Sequence, residues 1–240
     1  MFYGYYGGSY ILVIIGFLLT MFASFGVQST FRKYKDVMAS NGMTADMAAR
    51  RILDANGLQN IRIERVSGNL TDHYSPNEGV IRLSDATYNS RSVAAIGVAA
   101  HECGHAVQHK VGYAPIRIRN NIVPIVNISN RLSMPIFILG LILQGYAQNT
   151  SSNFGLTLSY IGALLFAMVL LFQVVTLPCE FNASSRAMKT MREMDILYGD
   201  ELSGARKVLT AAAMTYVAAV ASTALQFLRL LMILNNRRRD

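Results

Sequence analysis

The sequence predicts a mainly helical membrane protein that carries a small α+β portion on one side of the bilayer. Three observations support this. Hydrophobic residues make up 52% of the 240-residue chain and charged residues only 15%, where soluble domains carry about a quarter. Three to four apolar runs are long enough to cross a bilayer. Between the first and second lies a polar stretch with short alternating segments and a helix carrying His-Glu-Cys-Gly-His at 101–105. The net charge of +8 fits anionic lipid and cationic cytoplasmic loops. No basic helix interleaved with aromatics and no zinc-knuckle spacing accompanies it, so nucleic acid is not an expected partner.

Residues 1–30 hold the first span. The opening Tyr3, Tyr5, Tyr6 and Tyr10 suit a membrane–water interface, and residues 10–27 are apolar without charge. No positive segment precedes them, which argues against a cleaved signal peptide. Arg32, Lys33 and Lys35 follow at once, so the positive-inside tendency puts residue 31 onward in the cytoplasm.

Residues 31–120 form the expected catalytic portion. Thr44 reads as an N-cap, Asp46 sits in the first turn, and Gly57 closes a helix over 45–56. IRIERV (61–66), LTDHY (70–74) and VIRLS (80–84), separated by turn residues, predict a small antiparallel meander. From about Ser90 the chain turns helical until Gly112, with Pro115 beyond. The apolar stretch from Val93 to Ala100 is too short to span, so this helix belongs to the polar portion or the membrane surface.

Residues 121–178 read as a transmembrane hairpin. Its first arm, near 124–146, is interrupted by Asn130-Arg131, an uncharged loop follows at 148–154, and 155–178 is the strongest span. Residues 179–207 read as a new helix beginning at the cytoplasmic surface, with Arg186, Lys189 and Arg192 on the cytoplasmic side. Residues 208–240 hold a last apolar segment, either a fourth span or a helix buried in the catalytic portion. The Arg237–Arg239 run after it reads as a lipid-headgroup anchor.

The pentapeptide concentrates the chemistry. Positions four apart share one helix face, so His101 and His105 can offer two imidazoles to one metal ion, with Glu102 beside them as a base. The arrangement is that of zinc hydrolases, and a chance match in a chain of this length is expected in roughly one per cent of cases or fewer. A catalytic zinc ion takes three protein ligands and keeps one position open. His109 continues the spacing but lies about 12 Å from His101 along the axis. Gln108 and Val111 exclude the metzincin pattern. Glu180 is the best candidate, because a two-span hairpin returns the chain to the side it left. Glu193 and Asp195 are the fallbacks. Cys103 points about 200° away from His101, and both it and Cys179 read as reduced and structural.

His-Glu-Cys-Gly-His, followed after a hairpin of spans by a Glu-bearing helix, resembles the gluzincin architecture of membrane-embedded CAAX prenyl endopeptidases and their bacterial heat-shock relatives. QSTFRKY (28–34), LTDHYSPNEGVIRLS (70–84), Ser92 to His109 and LPCEFNASSRA (177–187) together resemble the YugP-type family of bacterial membrane zinc metallopeptidases over most of the chain. The resemblance implies a zincin-like catalytic portion and one catalytic Zn2+ on His101, His105 and Glu180, with Glu102 as the catalytic base. It also implies a zinc-dependent peptidase of the bacterial cell membrane whose natural substrate is unassigned; the multi-pass pattern and the charge asymmetry, which put the site near the cytoplasmic surface, point to membrane proteins or membrane-proximal peptides. Related gluzincins place Asp four residues after the ligand Glu to support a histidine. Here Ser184 stands there, and Asn182 is a candidate to share the task. His73 and Tyr74, at a predicted strand end, are candidate helpers for substrate or oxyanion. The rival reading is a catalytically silent zinc-binding scaffold or regulatory adaptor, for which an intact Glu102 would be superfluous.

Overall fold

The computed structural model describes the backbone of residues 3–146 and 153–237 and the side chains of residues 10–146 and 153–236. The aromatic side chains of Tyr3, Tyr5 and Tyr6, the loop at 148–152 and the side chains of Arg237–Arg239 fall outside them. The element order is α1 (Tyr3–Tyr34), α2 (Ala45–Ala55), β1 (Arg62–Val66), β2 (His73–Ser75), β3 (Val80–Ser84), α3 (Val93–Lys110), α4 (Ala114–Tyr146), α5 (Phe154–Glu193) and α6 (Gly199–Arg237). Helices α1, α4, α5 and α6 are each long and apolar enough to cross a membrane, so the last apolar segment joins the other three. The chain divides into two compact units, one of residues 1–22, 118–176 and 216–240, the other of residues 23–117 and 177–215.

The first unit is all helix and packs through small residues. A Cβ on Gly162 would lie 2.5 Å from the Phe137 nitrogen, and one on Gly140 would lie 2.5 Å from the Ser159 nitrogen, so only glycine permits these approaches. Phe137, Ala163, Phe166, Leu230 and Leu234 form its core. Helix α4 runs unbroken through Asn130-Arg131 and contains Pro124 and Pro135. The arm expected near 124–146 lies within it, polar pair included, because neighbouring helices tolerate proline and polar residues within a span.

The second unit holds the sheet and α3. Ser92 caps α3, its hydroxyl accepting from the Ala95 amide. Ala94, Ala95, Ile96, Ala99, Ala100, Cys103 and Ala106 are all buried, because α3 is wrapped by Ile52 and Leu53 of α2, Ala187 and Met191 of α5, and Ala205 and Leu209 of α6. A helix apolar on most sides is a core helix. Gly57 and Gly112 stop α2 and α3 in left-handed conformations, at φ 64° and 62°. Thr44 has the extended backbone of an N-cap but makes no side-chain cap bond. The Ala45 amide instead donates to the Ser90 carbonyl.

The sheet corrects the expected meander. Its order is β1-β3-β2, with β1 parallel to β3 (Arg62 opposite Val80) and β2 antiparallel to β3 (His73 opposite Arg82). Both outer residue pairs of β3 are buried, whereas β1 and β2 are half exposed; the apolar VIRLS run takes the centre and the strands richer in polar residues take the edges. Residues 67–79 make the crossover. Asp85 clamps its start through the Gly68 amide at 3.0 Å, and Asp72 accepts from the Ser84 amide and hydroxyl at 2.8 and 2.9 Å.

Candidate metal centre

Helix α3 presents His101 and His105 on one face, with their rings edge to face and centroids 4.7 Å apart. Glu180 of α5 reaches between them. Its Oε2 lies 3.3 Å from His101 Nε2 and 3.5 Å from His105 Nε2. One donor atom from each of the three residues lies within 4.8 Å of the other two, and the group is the one set of potential metal ligands among the described residues. Glu180 is 2% exposed and His105 9%, so the three polar groups converge in a protected place. The expected surface-starting helix at 179 does not exist: α5 continues through Pro178, and Glu180 sits deep in a 40-residue helix rather than in a first turn. Proline costs one helical hydrogen bond but does not end a helix whose flanks are packed.

Over residues 9–235 the chain matches the family described as "Putative neutral zinc metallopeptidase". It belongs to that family. It is also 43% identical over 227 residues to the "Putative membrane protease YugP" of Bacillus subtilis (strain 168), an alignment covering 95% of this chain and 96% of that protein. No solved structure matches the chain.

The family's zinc can be tested against the residues present. Bonds of about 2.0–2.1 Å in a tetrahedron put ligand atoms roughly 3.3 Å apart, and Glu180 stands at 3.3 and 3.5 Å from the two imidazole nitrogens. Two nitrogens and one carboxylate oxygen are a donor set that zinc accepts, with a fourth position left over. Both rings turn Nε2 towards Glu180 because Nδ1 is held from behind. His101 Nδ1 lies 3.1 Å from Ser184 Oγ, and His105 Nδ1 lies 3.0 Å from Gln108 Oε1. The residues fit the metal.

Electrostatics agree with a charged cluster. Burial presses the His105 imidazole towards neutrality, but the Glu180 hydrogen bond, then the charges of Glu102 and Glu180 and the Gln108 bond, outweigh it and raise its pKa above the ordinary range. Glu102 is buried at 8% exposure, beside the first histidine and close enough for its charge to act on the second.

Of the residues expected to support the site, Ser184 meets His101 directly. Asn182 acts at one remove: its Oδ1 accepts from Gln108 Nε2 at 3.0 Å and from Arg186 Nε at 2.7 Å. Gln108 and Arg186 belong to no motif that marks them as part of a metal centre. Their signal was spacing, since Gln108 stands three residues after His105 and Arg186 four after Asn182, each pair on one helix face. His73 is exposed, with Nδ1 2.9 Å from the Thr71 carbonyl, and Tyr74 packs edge-on to His109 at 6.2 Å between centroids. Neither joins the ligand group, nor do the fallback ligands Glu193, which pairs with Lys189, and Asp195. Cys103 faces α2, its thiol 3.6 Å from the Ala49 carbonyl, and burial pushes its pKa well above the ordinary range.

Proposed function

We propose that this protein is a membrane-bound, zinc-dependent endopeptidase acting on membrane or membrane-proximal polypeptides near the cytoplasmic surface of a bacterial cell membrane. The observation that carries the reading is the convergence of His101 Nε2, His105 Nε2 and a Glu180 oxygen within 4.8 Å, directly beside Glu102. A bound zinc ion would supply Lewis acidity for a peptide carbonyl and for water. His101, His105 and Glu180 would hold it, and Ser184 and Gln108 orient the imidazoles. Glu102 takes one proton from the water that attacks the carbonyl carbon. It then passes that proton to the amide nitrogen as the carbon–nitrogen bond breaks and the amine leaves; the second proton of the water passes from the new carboxyl group to that amine, so that an ammonium and a carboxylate result.

The cytoplasmic placement rests on Arg32, Lys33 and Lys35 after the first apolar run and on Arg186, Lys189 and Arg192 after the third. The decisive experiment compares wild type with Glu102→Gln in purified full-length protein, using casein and a fluorogenic membrane peptide. Zinc binding should persist in the variant while cleavage falls by at least about 100-fold. Wild type that holds zinc but cuts nothing, with a cellular phenotype that Glu102→Gln leaves untouched, would favour the silent scaffold. Reporter fusions at residues 60 and 150 test the orientation, and an extracellular signal at 60 would overturn it.

A further inference from the structure

We propose that Gln108 and Asn182, anchored by Arg186, form a one-way hydrogen-bond relay that forces the hydrogen of His105 onto Nδ1 and so reserves Nε2 for a metal. The inference rests on the metal reading above and adds residues to it that act through a ligand rather than on substrate. The polarity of the relay follows from two groups that have no choice. A guanidinium can only donate, so the Asn182 atom 2.7 Å from Arg186 Nε is an acceptor oxygen. That oxygen also lies 3.0 Å from the Gln108 amide, so the Gln108 atom facing it is the donor NH2. The same Gln108 nitrogen lies 2.7 Å from the Cys179 backbone carbonyl, which can only accept. Flipping the Gln108 amide would set oxygen against oxygen at both contacts. Its remaining atom, Oε1, therefore faces His105 Nδ1 at 3.0 Å as an acceptor, and Nδ1 must carry hydrogen whether the ring is neutral or cationic. The neutral form with hydrogen on Nε2 is excluded.

His101 differs. Its Nδ1 faces Ser184 Oγ at 3.1 Å, and a hydroxyl donates or accepts as required. One ligand is therefore committed by the fold and the other stays adaptable. Gln108 is fully buried, so water cannot replace it, and a chain of satisfied buried hydrogen bonds holds its members in one orientation. The relay also ties α3 to α5 through the residues on either side of Glu180, which couples ring orientation to the position of the third ligand.

The test uses the full chain in detergent with 15N-labelled histidine. Only four histidines are present, so single substitutions assign each signal. Wild type should show a slowly exchanging, hydrogen-bonded Nδ1–H on His105 with and without zinc. Gln108→Met keeps the shape but removes the acceptor. It should lose that protected proton and bind zinc about 10–100-fold more weakly in chelator competition. Asn182→Asp keeps an acceptor for both donors and should retain the protected proton and the affinity, whereas Asn182→Leu leaves the Gln108 amide only the Cys179 carbonyl and should weaken both. If Gln108→Met does not fold by circular dichroism, Arg186→Met interrogates the same relay from its far end and should weaken the Nδ1–H protection. A protected proton and zinc affinity that survive in the folded variant would overturn the inference, as would a wild-type His105 with hydrogen on Nε2 alone. Wild type that binds no zinc would sink the metal reading, while the Nδ1–H signal would still decide the role of Gln108.

Discussion

Gly104, the fourth residue of His-Glu-Cys-Gly-His, is where α3 crosses α5, and Gly104→Ala should damage the metal centre without touching a ligand. An added Cβ would lie 2.6 Å from the Ala183 carbonyl oxygen and 3.1 Å from that residue's Cα and carbonyl carbon. These are backbone atoms, which no rotamer change can move aside. Restoring ordinary contact of about 3.4 Å requires the helices to part by roughly 0.8 Å. Ala183 is three residues from Glu180 on the same helix, so the carboxylate moves with it, away from imidazoles now 3.3 and 3.5 Å distant. Metal–ligand distances tolerate about 0.2 Å, so zinc affinity should fall at least about 10-fold. Stability responds less. Alanine in place of glycine favours a helix by about 1 kcal/mol, and overpacking costs about 1–3 kcal/mol, for a net loss of about 0–2 kcal/mol. Gly26→Ala is the control, because nothing lies within 4 Å of its added Cβ. It should keep zinc and gain the helix term alone. Chelator competition and metal analysis give the affinity, and denaturant melts followed by circular dichroism give the stability. Wild-type zinc affinity in folded Gly104→Ala would refute the reasoning, since it would mean that the close crossing does not position Glu180.

Glu180→Ala should abolish stoichiometric zinc in purified protein by metal analysis; full retention would contradict the three-residue centre of His101, His105 and Glu180. Asp72→Ala removes the acceptor for the buried Ser84 amide and its hydroxyl and should cost about 2 kcal/mol in a denaturant melt. Asp85 has its pKa lowered by the Gly68 amide and then by Arg65. Its contribution to stability is therefore present above the unfolded carboxylate value of about 3.9 and is lost as pH falls towards the folded one. Asp85→Asn should flatten the fall in melting temperature across that acid range, and an unchanged pH profile would remove Asp85 from the account. The Cys103 thiol, buried and with a raised pKa, should resist thiol reagents in native protein and react on unfolding; rapid native labelling at this position would contradict the packing of α3 on α2.

The helices were largely legible because their signals are local. Ser92 and Gly112 bracket α3 almost where spacing and turn residues put the motif helix, and β3 coincides with VIRLS. The errors share one cause, the treatment of local signals as decisive where packing outweighs them. Pro178 reads as a helix end, yet α5 passes through it. Three strands in succession read as a meander, but the most apolar one occupies the centre, and β1 crosses over to pair with it in parallel.

From its residues alone the chain declares two imidazoles at helical spacing, a neighbouring carboxylate, several apolar spans and a family resemblance, because each is written in a short stretch of sequence. Only the tertiary structure decides that an oxygen 75 residues beyond His105 stands 3.5 Å from it, and that Gln108 holds that ring from behind. Those facts depend on how closely α3 and α5 approach, and that distance is set by small residues meeting across the interface rather than by any segment read on its own.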